Sequence, residues 1–211
     1  MTGLVWRCIV TALVAYFLGN LNGAIILSSL LEKDDVRTHG SGNAGLTNYV
    51  RSYGYSRTGL VILIDMGKTV LACFTGGLLL ESSGYYLEGV ALAGLFVSLG
   101  HDLPVFQGFR GGKGILCGWA IAMVTDWRVG LAVIVLFALC VLLTRYVSLG
   151  SCLAALGVGV GMTLSCPGQI WVLVPLWLTV FLALFMHRGN IKRLLQGNER
   201  KISFHHKEEK Q

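Results

Sequence analysis

Three polar clusters interrupt an otherwise apolar chain and hold most of its chemically useful side chains. The first is RTHGSGNAGLTNYVR, residues 37–51. Gly40, Gly42 and Gly45 leave backbone N–H groups free to face a ligand. Ser41, Asn43, Thr47 and Asn48 add side-chain donors, and Arg37 and Arg51 bracket the run with positive charge. Concave amides beside an arginine suit a phosphate; a glycine-rich re-entrant turn is the plainer alternative. The second cluster is GHDLPVFQGFRGGKG, residues 100–114. Arg110 and Lys113 straddle Gly111 and Gly112, and Gly114 follows, so that backbone without side chains can approach an anion. A topological basic loop is the alternative here. A nucleotide P-loop is excluded: Gln107 replaces its first glycine and Gly114 its Ser or Thr. The Gly67-Lys68-Thr69 triplet fails likewise, with Ile62 in the glycine position. The third cluster is HRGNIKRLLQGNERK, residues 187–201. Its His187 and Asn190 share one helix face, and Arg188 adds charge; an interfacial anchor is the alternative.

Other polar side chains lie near or inside apolar runs. Asp65 and Lys68 stand at i, i+3 within one of them. Charges there are costly and face the bundle interior. The two form a clamp, or Lys68 faces a substrate. His101 and Asp102 are either site residues or a local helix-end hydrogen bond. Arg145, with Ser148 and Ser151 nearby, is a substrate contact or a topological charge.

The elements that must position these residues are membrane helices. The 211 residues are 54% hydrophobic and 13% charged, against about 25% charged in soluble domains. At roughly 20 apolar residues per span, the length allows about six to eight spans and no separate soluble domain. Seven apolar segments run at about 4–30, 58–80, 87–103, 113–125, 129–144, 147–165 and 169–186. Gly76, Gly77, Gly157, Gly159 and Gly161 permit close helix packing in lipid. The run Leu4–Leu18 is not read as a signal peptide, because no small-x-small site precedes Asn20–Asn22. Cys8, Cys73, Cys117, Cys140, Cys152 and Cys166 form no C-x-x-C pair and read as small packing residues.

Orientation follows the Lys/Arg distribution. Loop 31–57 carries Lys33, Arg37, Arg51 and Arg57, loop 101–113 carries Arg110 and Lys113, and the tail carries seven more from Arg188 to Lys210. The alternate loops hold Glu81 and Glu88, Asp126 with Arg128, and Cys166-Pro167-Gly168. The expected fold is therefore an all-α integral membrane protein, a seven-transmembrane helix bundle with its N-terminus outside and its C-terminus in the cytoplasm. Residues 1–202 form one membrane-embedded domain, with a short interfacial helix after His187. Residues 203–211 form a polar tail expected to be disordered, in which His205 and His206 are solvated rather than metal ligands. The net charge of +6 suits anionic lipid and anionic substrates better than nucleic acid. No metal site and no cofactor are expected.

Taken in order, HGSGNAGLTN, GHDLPVF with GFRGGKG, RYVSLGS and HRGNIKRLLQGNE resemble the motifs of the bacterial acyl-phosphate:glycerol-3-phosphate acyltransferases (PlsY). The matching region spans residues 37 to 199. The resemblance implies a seven-span bundle with its active site at the cytoplasmic face of a bacterial cell membrane. By position, Ser41 and Arg51 match the essential residues of the first motif. Gly111, Gly112, Lys113 and Gly114 match the glycerol-3-phosphate-binding motif. His187 and Asn190 match activity residues of the last motif, and Glu199 a structural glutamate. The sequence departs from the family where Gly19-Asn20-Leu21-Asn22 replaces Gly-Ser-x-Pro, where Ile115-Leu116-Cys117 replaces Val-Ala-Thr, and where Thr69 replaces a glycine. These departures bear on acyl preference and rate more than on reaction type.

The reaction so implied is attack of the 1-hydroxyl of glycerol 3-phosphate on the carbonyl of an acyl-phosphate, releasing phosphate. Acyl-phosphates are reactive mixed anhydrides, so the protein's tasks are positioning and charge neutralisation. Arg51, Lys113 and Arg188 are the expected cations, with Ser41 and Asn43 on a phosphate or the oxyanion. The base is either His187 or a substrate phosphate. No His-x-x-x-x-Asp motif follows His39, His101 or His187, where Ala44, Phe106 and Lys192 stand. A transporter or channel for an anionic metabolite would use similar loops, but would need polar residues reaching both faces. A CDP-alcohol phosphotransferase needs several intramembrane aspartates, and Asp65 alone lies deep in a span.

Overall fold

The computed structural model describes residues 2–202, and every regular element among them is helical. The tail 203–211, with His205 and His206, lies outside the described residues. The helices are α1 (Thr2–Gly19), α2 (Gly23–Leu31), α3 (Leu46–Tyr53), α4 (Thr58–Glu81), α5 (Tyr86–Asp102), α6 (Ile115–Thr125), α7 (Trp127–Thr144), α8 (Val147–Ser165), α9 (Ile170–Met186) and α10 (Arg188–Leu195). Short 3-10 turns occupy Val36–Thr38 and Val105–Gln107. Among the described residues, five stretches are long and apolar enough to cross a membrane: Gly3–Leu31, Thr58–Glu81, Tyr86–Gln107, Trp127–Thr144 and Val147–Ser165. A sixth arises if α9 and α10, bent by 57°, count together. Leu63, Leu78, Leu143, Leu164 and Trp171 stand exposed around these helices, as lipid-facing residues must.

The bundle is drawn together at small residues. A side chain at Gly76 would press on the Gly89 carbonyl of α5, one at Gly77 on the Tyr86 ring, and one at Gly159 on the Trp177 ring. Without an aqueous hydrophobic effect to bring helices together in lipid, such close approach supplies the packing energy. One core joins Cys73, Val90, Ile121, Val133, Val158, Met162 and Leu176 from α4 to α9. A second, at one end of the bundle, packs Ala24, Leu27, Val36, Ala44, Tyr49 and Val61.

The first apolar segment, read as one run over 4–30, is broken between α1 and α2 at Asn20-Leu21-Asn22. Asn22 caps α2 by accepting from Ile25 N at 3.0 Å, and its amide donates to Ala44 O at 2.9 Å. Asn20 accepts from Phe106 N at 3.2 Å. The break therefore braces both glycine loops. Asn22→Ala removes a cap worth about 1 kcal/mol and orphans a buried carbonyl at about 1–3 kcal/mol. The thermal midpoint in detergent should fall clearly, and Asn22→Ser, which keeps a neutral cap alone, should fall less. Equal midpoints for parent and Asn22→Ala would contradict the bracing role.

Candidate functional site

The two glycine loops are stitched into one surface. Asp35 caps the turn at Val36–Thr38 and pairs with Arg37 at 2.8 Å. Held so, Arg37 donates to Gln107 O at 2.9 Å and Arg110 O at 3.2 Å in the second loop. Ala44 N donates to Gly111 O at 3.2 Å. Gly40 and Gly42 take positive φ of 58° and 71°, which lets the first loop turn back on itself.

Asn48 was expected among the donors facing a ligand, and the structure corrects this. It is buried, donates to Val36 O at 2.8 Å and His39 O at 3.1 Å, and accepts from Ser41 N at 2.9 Å. Its amide hydrogens are fully used inside the loop, which it staples. The free-amide expectation is corrected in the same way. Gly42 N donates to His39 O, Gly45 N to Asn43 O, Gly111 N to Asp102 O and Gly112 N to His101 O. Most of the loop amides therefore hold the fold, and side chains are left to meet an anion. Ser41, Thr47 and Arg51 are exposed on this surface, with Asn43 partly covered.

The third cluster closes over the second. α9 ends at His187, where the chain bends into α10. His187 Nδ1 lies 2.8 Å from Ala183 O. A carbonyl can only accept, so Nδ1 carries a proton and the neutral ring keeps its lone pair on Nε2. Asn190 Oδ1 accepts from Lys113 Nζ, while its amide donates to Glu199 Oε1 at 2.7 Å. Arg193 Nε donates to Glu199 Oε2 at 2.6 Å. Burial works to raise the Glu199 pKa, but the bonds from Asn190 and Arg193 outweigh it and hold the carboxyl below its ordinary value. Ser148, buried on α8, lies close to that carboxylate without closing a bond of ordinary geometry.

Positive charge is in excess here. The Lys113 ammonium is half-buried beside Arg193 and Arg51 as well as Glu199. Burial lowers the Arg51 pKa, helped by the nearby charge of Arg200. A cluster of cations that destabilise one another is matched to an anionic ligand.

Arg188 is not part of that cluster. It donates to Phe185 O at 2.9 Å and lies 4.2 Å over the exposed Phe185 ring. The expected cation is replaced by Arg193 and Arg200, which the sequence reading missed. Arg193 stands three residues beyond Asn190, the same spacing that joined Asn190 to His187, so its face was legible. Arg145 is an exposed left-handed cap of α7, at φ 63°, whose carbonyl accepts from Ile202 N at 2.9 Å. It anchors the strap that carries Glu199 and Arg200.

Lys68 and His101 lie beneath the loops rather than on them. Lys68 is buried and bonds Asp65 Oδ1 at 2.9 Å, so the clamp is observed and the substrate-facing alternative is corrected. His101 is buried against the same lysine at 2.8 Å. Gly114, at φ 66°, starts α6 beside the Asp102 carboxylate. Among the described residues no three His, Cys, Asp or Glu side chains group as metal ligands would.

A family model described as glycerol-3-phosphate acyltransferase matches residues 9–197. The chain is 38% identical over 195 residues to the glycerol-3-phosphate acyltransferase of Thermoanaerobacter pseudethanolicus, covering 92% of this chain and 95% of that one. To the enzyme of the same name from Clostridioides difficile it is 36% identical over 200 residues, covering 94% and 97%. Among solved structures it resembles PlsY (YgiH), an integral membrane glycerol 3-phosphate acyltransferase. The glycerol 3-phosphate form superposes with a TM-score of 0.84 at 28% identity, covering 93% of this chain and 96% of that chain. The lysophosphatidic acid form gives 0.81 at 27%, covering 93% and 95%. The chain therefore belongs to the glycerol-3-phosphate acyltransferase family.

Proposed function

We propose that the protein transfers a fatty acyl group from acyl-phosphate to the 1-hydroxyl of glycerol 3-phosphate, giving 1-acyl-glycerol 3-phosphate and inorganic phosphate. The observation that carries this reading is the convergence of Lys113, Asn190, Glu199 and Arg193 with Arg51 on one stitched surface. Two phosphorylated substrates bring several negative charges, and this surface offers the cations to hold them. The hydroxyl oxygen bonds to the acyl carbon, and the carbon–oxygen bond to phosphate breaks. Ser41 and Asn43 stabilise the phosphate or the developing oxyanion, with Gly40, Gly42 and Thr47 shaping that side. Lys113, positioned by Gly111, Gly112 and Gly114, holds the acceptor phosphate. The released proton has two acceptors in reach: Nε2 of His187, whose pKa burial pushes down to about 4, and a substrate phosphate, the stronger base of the two with a second pKa of about 6.

The Lys/Arg asymmetry supports a cytoplasmic site in a bacterial cell membrane, with the N-terminus outside. Residues 1–202 act as one domain of seven spans, with α1 and α2 as one broken span. α6, of 11 residues, rises only about 16 Å. The buried loop Gly111–Gly114 enters the bundle ahead of it and shortens the distance left to cross.

The test gives purified protein acyl-phosphate and labelled glycerol 3-phosphate, and measures labelled lysophosphatidic acid against released phosphate. Equal molar amounts are expected. Vesicle uptake of glycerol 3-phosphate without acylation would replace this reading with transport. Within it, Arg51→Lys should lower kcat/KM about ten- to a hundredfold, because lysine loses the two-point fork on phosphate. Activity within about twofold of the parent, well below that loss, would sink the fork.

A further inference from the structure

The buried ionisable side chains that acyl transfer leaves unused gather under the second glycine loop. Asp65 and Lys68 of α4 and His101 and Asp102 of α5 are all nearly sealed from solvent. Lys68 Nζ has three hydrogens for four neighbours, Gly19 O at 3.1 Å, Leu21 O at 2.7 Å, Asp65 Oδ1 at 2.9 Å and His101 Nδ1 at 2.8 Å, so one hydrogen is shared between two acceptors. An ammonium has no lone pair, so His101 Nδ1 accepts and the ring proton sits on Nε2. That Nε2 is the atom a side chain at Gly112 would strike. The backbone of α5 grips the same loop, with Gly112 N donating to His101 O at 3.0 Å and Gly111 N to Asp102 O at 3.2 Å. A side chain at Gly111 would strike His101 O, and one at Gly114 would lie 3.3 Å from the Asp102 oxygens. The loop therefore needs glycine because of what lies beneath it.

We propose that His101 is a positioning residue: its ring, held by the Asp65–Lys68 pair, sets the height of Gly112 and so places Lys113 against Asn190 and the acceptor phosphate. It touches no substrate. This rests on Lys113 as the acceptor-phosphate ligand. A misplacement of about 1 Å in a positioned group costs up to about a hundredfold, so the effect should fall on KM for glycerol 3-phosphate.

A double-mutant cycle on that KM tests the inference, using Gly112→Ala, His101→Ala and both together. Gly112→Ala alone is expected to raise KM about tenfold or more. In the double variant the ring is gone and the added methyl has room. KM should then lie within about threefold of His101→Ala alone, a coupling that only groups in contact show. Multiplying effects would mean that Gly112 faces the anion, and would overturn the proposal. A second variant, His101→Asn, keeps an acceptor where Lys68 needs it and removes the rest of the ring. It is expected to raise KM for glycerol 3-phosphate while kcat and the KM for acyl donor stay near the parent's. A loss of kcat with both KM values unchanged would make His101 merely structural and also overturn the proposal. A parent that fails to acylate glycerol 3-phosphate would bring down the acyltransfer reading together with this one, whereas multiplying effects in an active parent bring down this one alone.

Discussion

Lys113→Met lowers kcat/KM for glycerol 3-phosphate by about a hundredfold or more. A charge-assisted bond to phosphate is worth about 1.5–3 kcal/mol, or roughly ten- to a hundredfold in rate when it forms in the transition state. The loss does not stop at the substrate. Lys113 is half-buried and donates to Asn190 Oδ1, whose amide in turn holds Glu199. Methionine keeps the stem but leaves that oxygen unpaired, and frees Asn190 and Glu199 to shift. Lys113→Arg keeps the charge but replaces a compact ammonium with a longer planar fork, so it is also expected to lose activity. The measurement is kcat/KM in monodisperse, inserted protein. A Lys113→Met variant within about threefold of the parent, far below the expected loss, would remove Lys113 from the site.

Asp65→Ala is the most damaging change for stability. The Asp65 and Lys68 side chains are only 2% and 3% exposed. Removing one partner of a buried pair costs about 3–5 kcal/mol, because the other charge stays buried. Asp65 also accepts from Gly23 N at 3.0 Å, so the start of α2 loosens with it. A large drop in thermal midpoint is expected in detergent. Asp65→Asn, which keeps an acceptor, should lose less, and Asp65→Leu with Lys68→Leu should recover part of the loss by removing both charges. A parent-like midpoint for Asp65→Ala would mean that Lys68 is satisfied by Gly19 O, Leu21 O and His101 alone.

The sequence made the helical bundle legible because span length is dictated by the bilayer and written in apolar runs. It did not place the break at Asn20–Asn22 inside the first run, where two asparagines hide among apolar neighbours and find their partners, Phe106 and Ala44, far along the chain. The clusters stood out as candidate phosphate sites from residue type alone. The direction of each group was not. Asn48 and Ser41 look equally suited to a ligand, yet one is buried in loop bonds and the other is exposed. Arg188 and Arg193 differ only by position on α10. Five residues apart, they point about 140° from each other around the helix, so one meets Phe185 and the other Glu199. Gly111, Gly112 and Gly114 were read as room for an anion, whereas His101 and Asp102 occupy the space where their side chains would go.

The donor is the most direct point of attack on the acyltransfer reading. Purified protein receives labelled glycerol 3-phosphate with equal concentrations of acyl-phosphate, acyl-CoA or acyl-carrier protein, and initial rates of lysophosphatidic acid formation are compared. In the proposed reaction acyl-phosphate brings both its own leaving phosphate and negative charge for the cations around Arg51 and Lys113 to neutralise. It should support turnover, with the two thioesters at background. Equal or faster turnover with acyl-CoA or acyl-carrier protein would contradict an acyl-phosphate site.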